Sequence, residues 1–201
     1  MSGNERLRNF VREMTLLVER ADNDENVIFS EGEPHLAALI AHDDWLPDAY
    51  AEPSADGYRQ FLLHCDPLER FSVVSFVWGP GAGTPIHDHT VWGMVGMLRG
   101  SETSLAYEAC PDTGKLLEAE ITKLEPRMIE RVSPNIGDVH LVRNAYSDRA
   151  SISIHVYGAN IGAVRRHVFN PKTGKPSLFI SGYFSTSVPN IWDRSQESQS
   201  A

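Results

Sequence analysis

The amino-terminal part of the chain shows the apolar periodicity of helices. One apolar stripe recurs every three or four positions and comprises Leu7, Phe10, Val11, Met14, Leu17 and Val18. This spacing predicts an amphipathic helix that ends near Asp22. A second helix is predicted from about Glu31 to His42, with Ser30 as its amino-terminal cap and Glu33 at capping-box spacing.

From about residue 58 the pattern changes to short runs rich in β-branched and aromatic residues. The clearest run, Phe71–Trp78, ends at a Gly-Pro-Gly turn and reads as a buried strand. Further strands are predicted at Trp92–Leu98, Thr103–Glu108, Leu116–Leu124, Arg127–Val132, Val139–Arg143, Ser151–Tyr157 and Ala163–Val168. Many short strands separated by turn residues indicate a β-sandwich or barrel, and the absence of βαβ alternation argues against a Rossmann-type fold.

The 201 residues are predicted to form a single domain. Its parts are a mostly helical segment over residues 1–57, a β-barrel core over 58–170 and a carboxy-terminal extension over 171–201. The small polar residues from Ser195 onward predict a disordered tail.

Charge and cysteine content narrow the classes of function. The formal net charge is −9 and no basic run is present, so nucleic acid and anionic membranes are poor candidates as partners. No apolar stretch approaches the ~20 residues of a membrane span, and the first segment lacks the apolar core of a signal peptide. Cys65 and Cys110 lie far apart without CxxC spacing, which favours reduced thiols in a cytoplasmic protein.

Three histidines have the spacing of a metal site. His87 and His89 follow a turn rich in Gly and Pro, and side chains two apart on an extended strand project to the same face. His140 follows a second turn, in the sequence Gly-Asp-Val-His. The three are predicted to bind a metal, whereas Asp88 and Asp138 are assigned supporting or turn roles. The remaining histidines are assigned surface or structural roles: His35, His42, His64 and His167.

These residues resemble the two motifs of the cupin superfamily. The first motif, G-x5-H-x-H-x3-E-x6-G, is matched by Gly81, His87, His89 and Gly100. Gly93 occupies its glutamate position. The second, P-x-G-x-x-H-x3-N, is matched by Gly137, His140 and Asn144, with Pro134 one residue too early. The resemblance implies a mainly β fold, the cupin double-stranded β-helix, with the metal inside a small barrel and the amino-terminal helices packed outside.

The passage from Phe71 to Gly100, together with Ser153, His155 and Tyr157, resembles the thiol dioxygenases more specifically. Alternate positions on one strand share a face, so the serine can bond to the histidine and the histidine to the tyrosine. The resemblance implies Fe(II) as cofactor, held by the three metal-site histidines, and transfer of both atoms of O2 to the sulfur of a small thiol. It also implies that the Ser-His-Tyr row supports this reaction.

Two relatives within that family differ in substrate, cysteine or 3-mercaptopropionate. Aligning the segment Tyr58–Leu62 puts Gln60 rather than Arg59 at the position where cysteine dioxygenases carry an arginine for the substrate carboxylate. Glutamine there resembles the bacterial 3-mercaptopropionate type, in which an arginine further along holds the carboxylate. Arg166 matches that position better than Arg165. Gly93 also stands where the animal cysteine dioxygenases have a cysteine crosslinked to tyrosine, so no crosslink is expected.

Three other interpretations stay open. One is cysteine dioxygenase itself, which a one-residue change of strand register would revive. Another is a different cupin enzyme, such as an isomerase or a quercetinase-like oxygenase, although these usually keep the glutamate of the first motif. The last is a non-catalytic cupin, although such proteins often lose the metal histidines. Three histidines also bind Zn, Ni or Cu, so the ligand set alone does not select iron.

Overall fold

The helices of the amino-terminal part are longer than predicted. The computed structural model describes residues 3–110 and 113–192, with helix α1 at Gly3–Ala21, helix α2 at Glu25–Ile40 and a 3₁₀ turn at Asp48–Tyr50. The capping prediction was wrong, because the Asp24 carboxylate accepts the Asn26 N–H at 2.9 Å and α2 starts at Glu25 rather than at about Glu31. Ser30 lies inside the helix, where its hydroxyl donates to the carbonyl of Val27. No helix in the described ranges is long and apolar enough to cross a membrane.

Ten strands follow, and eight of them lie at the predicted runs with small shifts of their ends. They are β1 (Tyr58–Cys65), β2 (Ser72–Trp78), β3 (Gly93–Arg99), β4 (Glu102–Ala109), β5 (Leu116–Leu124), β6 (Ile129–Val132), β7 (His140–Asn144), β8 (Ser151–Tyr157), β9 (Arg166–Phe169) and β10 (Pro176–Phe179). The two strands outside the predicted runs are β1 and β10, and β10 lies in the predicted extension and pairs with β9. The expected disordered tail from Ser195 lies outside the described residues, as do the turn residues Pro111 and Asp112.

The strands form two antiparallel sheets and a hairpin. The five-stranded sheet has the order β1-β2-β8-β3-β6, the three-stranded sheet has the order β5-β4-β7, and β9 and β10 form the hairpin. The predicted mainly β fold with amino-terminal helices is therefore confirmed.

The two helices cover the outer face of the five-stranded sheet. Buried apolar residues of both helices form one cluster with β2, β3 and β8. The contact is close at Gly96 of β3, where a Cβ would lie 3.0 Å from Ile40 Cδ1 and 3.2 Å from Leu36 Cγ. This face is the main hydrophobic core, and it leaves the opposite face free to carry the site.

The inner face of the five-stranded sheet meets the three-stranded sheet. The register places Phe76 of β2 opposite Ser153 of β8, and Glu102 of β4 opposite Asn144 of β7. Hydrogen bonds join the two sheets, as where Ser151 donates to Asn144 at 2.8 Å. Polar side chains on both inner faces therefore meet within the barrel.

Candidate metal centre

The three predicted metal ligands come together inside the barrel. His87 and His140 exchange backbone hydrogen bonds of 2.9 and 3.0 Å, which places the first histidine loop beside the start of β7. His89 follows two residues later. Their ring centroids are 4.9 Å apart in each pair, and one ring nitrogen from each lies within 4.8 Å of the other two. This spacing fits three ligands on one face of a metal ion.

Neighbouring groups orient the rings. The Nδ1 atom of His87 lies 3.1 Å from the carbonyl oxygen of Pro85, and the Nδ1 atom of His140 lies 2.9 Å from the Ser104 hydroxyl. These contacts leave the Nε2 atom of each ring for a metal. The Nδ1 atom of His89 is buried and has no hydrogen-bond partner. Such a desolvated cluster of nitrogens fits a divalent transition metal.

Burial keeps the cluster neutral. Desolvation lowers the pKa of His87 to about 4 and lowers the pKa of His89 and His140 well below the usual value. Neutral imidazole is the form that binds metals, so the site is ready to bind an ion at physiological pH. Because none of the three donors is a carboxylate, a divalent ion would keep its full charge.

The two aspartates beside the histidines hold the loop. Asp138 accepts the backbone N–H groups of His89 and Thr90 at 3.0 and 2.9 Å. Asp88 accepts the backbone N–H of His167 and contacts its Nδ1 atom, both at 2.7 Å. The second pair ties the histidine loop to β9. Sequence reasoning missed this role for His167, since nothing in the sequence links residues 79 positions apart.

The Ser-His-Tyr row lies beside this cluster on the inner face of β8. Ser153 Oγ is 2.8 Å from His155 Nε2, and His155 Nδ1 is 2.7 Å from the Tyr157 hydroxyl. All three residues are buried, and Phe76 stacks on the His155 ring with centroids 4.3 Å apart. The Tyr157 ring stacks on His89 at a centroid distance of 5.3 Å. The row thus runs from the barrel interior to the metal-site histidines.

Gly93 provides space for that tyrosine. A Cβ at this position would lie 2.8 Å from Tyr157 Cδ1 and 2.9 Å from Val132 Cγ2, closer than real contacts allow. The side chain of any other residue would displace the ring. Gly93 stands where the resemblance assigns a crosslinking cysteine in animal enzymes, and the tyrosine ring occupies the space that a side chain at this position would need. Cys65 and Cys110 are not joined in a disulfide.

The register of β1 separates Arg59 from Gln60. Gln60 pairs with Phe76 and lies on the inner face, where its Nε2 donates to the carbonyl of Gly182 at 2.8 Å and to Ser181 Oγ at 3.2 Å. Arg59 projects to the other side of the sheet, where it contacts Glu52 at 3.3 Å and stacks over the ring of Phe184. Gln60, and not Arg59, therefore faces the barrel interior.

The buried side chain of Arg166 carries a positive charge and shares a hydrogen-bond partner, Ser181, with Gln60. It is 4% exposed, its guanidinium donates to Ser181 Oγ at 2.8 Å, and its Cζ lies 4.7 Å from the Phe179 ring. Its Nε has no hydrogen-bond partner, and Asp88, the carboxylate whose charge acts on Arg166, is hydrogen-bonded to His167 instead. Burial raises the pKa of Tyr157, and the positive charge of Arg166 opposes that rise. The same charge adds to the burial that lowers the pKa of His87, so Arg166 lies near both groups. Arg165 is exposed.

Two inward-facing carboxylates were not found from the sequence, the buried Glu102 and the partly buried Glu130. Glu102 contacts Ser153, with Oε2 2.9 Å from the hydroxyl, and burial raises its pKa to about 8. The carboxylate of Glu130 is hydrogen-bonded to Ser104, whose hydroxyl also contacts His140 Nδ1. Burial raises the pKa of Glu130 to about 7. Glu130 lies on a predicted strand and Glu102 lies one residue before another, but the alternation in β4 and β6 did not reveal that these polar positions face inward.

Comparison with known proteins gives the family. A family model described as cysteine dioxygenase type I matches residues 42–169. Proteins named cysteine dioxygenase type 1 from Homo sapiens and Bos taurus are each 27% identical, over 136 and 121 residues. These matches cover 64% and 58% of this chain and 65% and 58% of the relatives, less than two thirds of the length of either relative.

Solved structures with similar folds include cupins. An RmlC-like cupin protein from Ralstonia eutropha is 13% identical, with a TM-score of 0.43, and the match covers 62% of this chain and 67% of that one. A cupin-2 domain from Rhodospirillum rubrum is also 13% identical, with a TM-score of 0.41 and coverage of 71% and 72%. The family model spans more than half of the chain, and the chain belongs to the cysteine dioxygenase type I family.

Proposed function

We propose that the protein is an iron-dependent thiol dioxygenase that converts 3-mercaptopropionate to 3-sulfinopropionate, as the bacterial 3-mercaptopropionate dioxygenases do. Membership of the cysteine dioxygenase type I family supports the reaction class. Fe(II) is held by His87, His89 and His140. When bound, the iron supplies the redox chemistry by which both atoms of O2 pass to the sulfur.

The single observation that carries the substrate proposal is the unpaired charge of Arg166. A buried guanidinium without a carboxylate partner is costly, and an anionic ligand would remove that cost. The planar fork of arginine suits the two oxygens of a carboxylate. Gln60 contributes no charge, so the pocket offers one cation to the substrate. A thiol with a single carboxylate and no α-amine fits this charge balance.

The other residues position the substrate and supply a hydrogen bond. Arg166 binds the carboxylate, with Ser181 holding both the guanidinium and Gln60. The carboxylate end is then fixed while the thiol end lies toward the histidines. Tyr157 donates a hydrogen bond at the site, and Ser153 and His155 hold the tyrosine. Burial of the whole row excludes water from the reacting sulfur.

Cysteine is the second candidate substrate, because both curated relatives are named cysteine dioxygenase type 1. Cysteine also carries a carboxylate that Arg166 could bind. Its α-amine is the group that distinguishes the two thiols. The outward direction of Arg59 is the observation against it, since the arginine expected for cysteine does not face the interior.

Oxygen uptake by the Fe(II)-loaded protein tests the proposal. The two thiols, 3-mercaptopropionate and L-cysteine, are compared across substrate concentration, and the sulfinate products are identified by mass. We expect a much higher kcat/KM for 3-mercaptopropionate. A preference for cysteine would overturn the substrate assignment and keep the reaction class. Bound iron without uptake of oxygen with either thiol would overturn both.

The proposal places the protein in the cytoplasm, with the thiol and O2 as its partners. The wide separation of Cys65 and Cys110 in the sequence, without CxxC spacing, supports a reducing compartment. The net charge of −9 supports neither nucleic acid nor an anionic membrane as a partner.

A further inference from the structure

A buried carboxyl group extends the Ser-His-Tyr row by one member. Glu102 is 1% exposed, and its Oε2 lies 2.9 Å from the Ser153 hydroxyl. With the contacts to His155 and Tyr157, this makes a continuous row of four polar groups joined by distances of 2.9, 2.8 and 2.7 Å. One end of the row is closed in the barrel interior, and the other end reaches the metal-site histidines.

The Ser153 hydroxyl restricts how the row can be hydrogen-bonded. It has three close neighbours: the indole Nε1 of Trp78 at 3.0 Å, Glu102 and His155. An indole N–H only donates, so it occupies one lone pair of the hydroxyl oxygen. One hydrogen and one lone pair remain for the other two neighbours. One of these must therefore donate to Ser153, and the other must accept from it.

Two arrangements satisfy this condition. In the first, Glu102 is protonated and donates to Ser153, which donates to His155 Nε2. A neutral imidazole has one N–H, which then lies on Nδ1 and donates to Tyr157, so the tyrosine hydrogen is free for the site. In the second, Glu102 is ionised and accepts from Ser153, which accepts from His155 Nε2–H. His155 Nδ1 then accepts the tyrosine hydrogen, and Tyr157 offers only lone pairs to the site.

We propose that Glu102 is a positioning residue that stores a proton for this row and sets its direction. Its protonation makes Tyr157 a hydrogen-bond donor at the site, and its ionisation makes Tyr157 an acceptor there. The catalytic consequence rests on the proposed function, whereas the reversal is a property of the protein alone.

The proton count balances between the two arrangements. Passing from the first to the second, Tyr157 releases its hydroxyl hydrogen to the site and receives the Nδ1 hydrogen of His155. Ser153 passes its hydrogen to Nε2 and receives the carboxyl hydrogen of Glu102. One proton leaves at the site, and one negative charge appears at Glu102. The reverse passage takes up one proton, such as the one that a thiol loses on binding as a thiolate.

The surroundings of Glu102 bring the two arrangements close in free energy. Desolvation raises its pKa to about 8, so protonated and ionised forms are both accessible near neutrality. The other charges that face it are Glu130 from β6 and Tyr157 along β8. From the three-stranded sheet, β5 and β7 place the uncharged Leu124 and Asn144 opposite it. No cation from these strands pairs with Glu102 in the described ranges.

The test is a histidine titration by NMR on metal-free, ¹⁵N-labelled protein, which needs no iron and no activity. Two-bond ¹H–¹⁵N spectra report which ring nitrogen carries the hydrogen, and His155 is assigned by its absence in His155→Asn. We expect its hydrogen to move from Nδ1 to Nε2 as the pH rises, with a midpoint near the Glu102 pKa of about 8. The isosteric Glu102→Gln has no charge to titrate, so the change should disappear.

Two matched variants complete the design. Glu108→Gln, on the same strand but exposed, should leave the transition unchanged. Glu130→Gln should keep the transition and move it to lower pH, because a repelling charge is gone. A wild-type His155 that keeps one tautomer throughout would overturn the proposal, as would a change that persists in Glu102→Gln. The wild-type titration decides even where a variant fails to fold.

In the iron-loaded enzyme, Glu102→Gln gives a second measurement. The pH profile of kcat should have a limb near the Glu102 pKa in the wild type that is absent in Glu102→Gln. If the protein oxidises no thiol, the proposed function fails while the NMR titration still decides the inference.

Discussion

The two faces of the five-stranded sheet differ in what their side chains do. On the outer face, apolar residues of β2, β3 and β8 pack against both helices. On the inner face, β8 carries a buried row of polar groups from Ser153 to Tyr157. One residue along a strand exchanges one environment for the other. The outer face therefore stabilises the fold. The inner face buries polar groups, which is costly unless each of them has a hydrogen-bond partner.

Replacing Arg166 should have the largest effect on activity, and this effect should be confined to the inner face of the sheet. We expect Arg166→Gln to lower kcat/KM for 3-mercaptopropionate by about 30-fold to 1,000-fold, because the variant would lose the proposed buried charge pair with the substrate carboxylate. The loss should be carried mainly by KM, with iron content unchanged. Steady-state oxygen uptake and iron analysis measure both.

Arg165→Gln is the matched control for that variant. Arg165 is adjacent in sequence but exposed, so its replacement should leave kcat/KM within a factor of two or so. Equal losses in the two variants would mean that general charge attraction, and not a specific contact of Arg166, holds the substrate.

Two glycines of β3 allow the faces to be compared within one strand. Gly93→Ala puts a methyl group 2.8 Å from the Tyr157 ring, and we expect overpacking of about 1–3 kcal/mol together with a loss of kcat. Gly96→Ala meets only the flexible ends of Leu36 and Ile40 at 3.0–3.2 Å. It should change the free energy of unfolding by less than about 1 kcal/mol and leave kcat unchanged.

Urea unfolding and oxygen uptake on both variants separate these outcomes. Full activity of Gly93→Ala would show that the position of the Tyr157 ring is not critical. A loss of kcat in Gly96→Ala would show that the helices influence the site through the sheet.

The strands were predicted better than the helices, because the residues that mark the ends of the strands lie next to them in the sequence. Turn residues with strong conformational preferences bound the strands, whereas Ser30 and Asp24 compete as helix caps and only the fold selects Asp24. His87 with His89, and the Ser-His-Tyr positions, were accessible because their spacing of two residues is local, and His140 was accessible from the turn that precedes it. Contacts between distant residues were not accessible: Asp88 with His167, Glu102 with Ser153 and Arg166 with Ser181 each join separate strands or loops.

Burial of Glu102 also predicts a pH-dependent difference in stability between the wild type and Glu102→Gln. The pKa of this carboxyl is raised from 4.5 to about 8 in the folded protein, so between these values the folded state holds a proton that the unfolded state has lost. The stability of the wild type therefore falls as pH rises through this window, by at most about 1.4 kcal/mol per pH unit. Glu102→Gln should lack this part of the slope.

Urea unfolding of the metal-free proteins at several pH values measures the difference between the two. Glu130, whose pKa is raised to about 7, is present in both proteins, so the part of its contribution that comes from its own burial is common to them. Parallel stability curves for the wild type and Glu102→Gln between pH 4.5 and 8 would contradict the raised pKa of Glu102.

The smallest effect is expected for Arg59→Gln, at the edge of the same strand as Gln60. Arg59 contacts an exposed carboxylate of Glu52 and the face of the Phe184 ring, so its replacement should cost less than about 1 kcal/mol of stability. Since the side chain lies away from Arg166, kcat/KM should stay unchanged for both 3-mercaptopropionate and cysteine. A selective loss with cysteine would instead mean that Arg59 reaches the substrate, which requires β1 to pair one residue out of the observed register. This variant therefore tests directly whether the two faces of the sheet are as separate as β1 makes them.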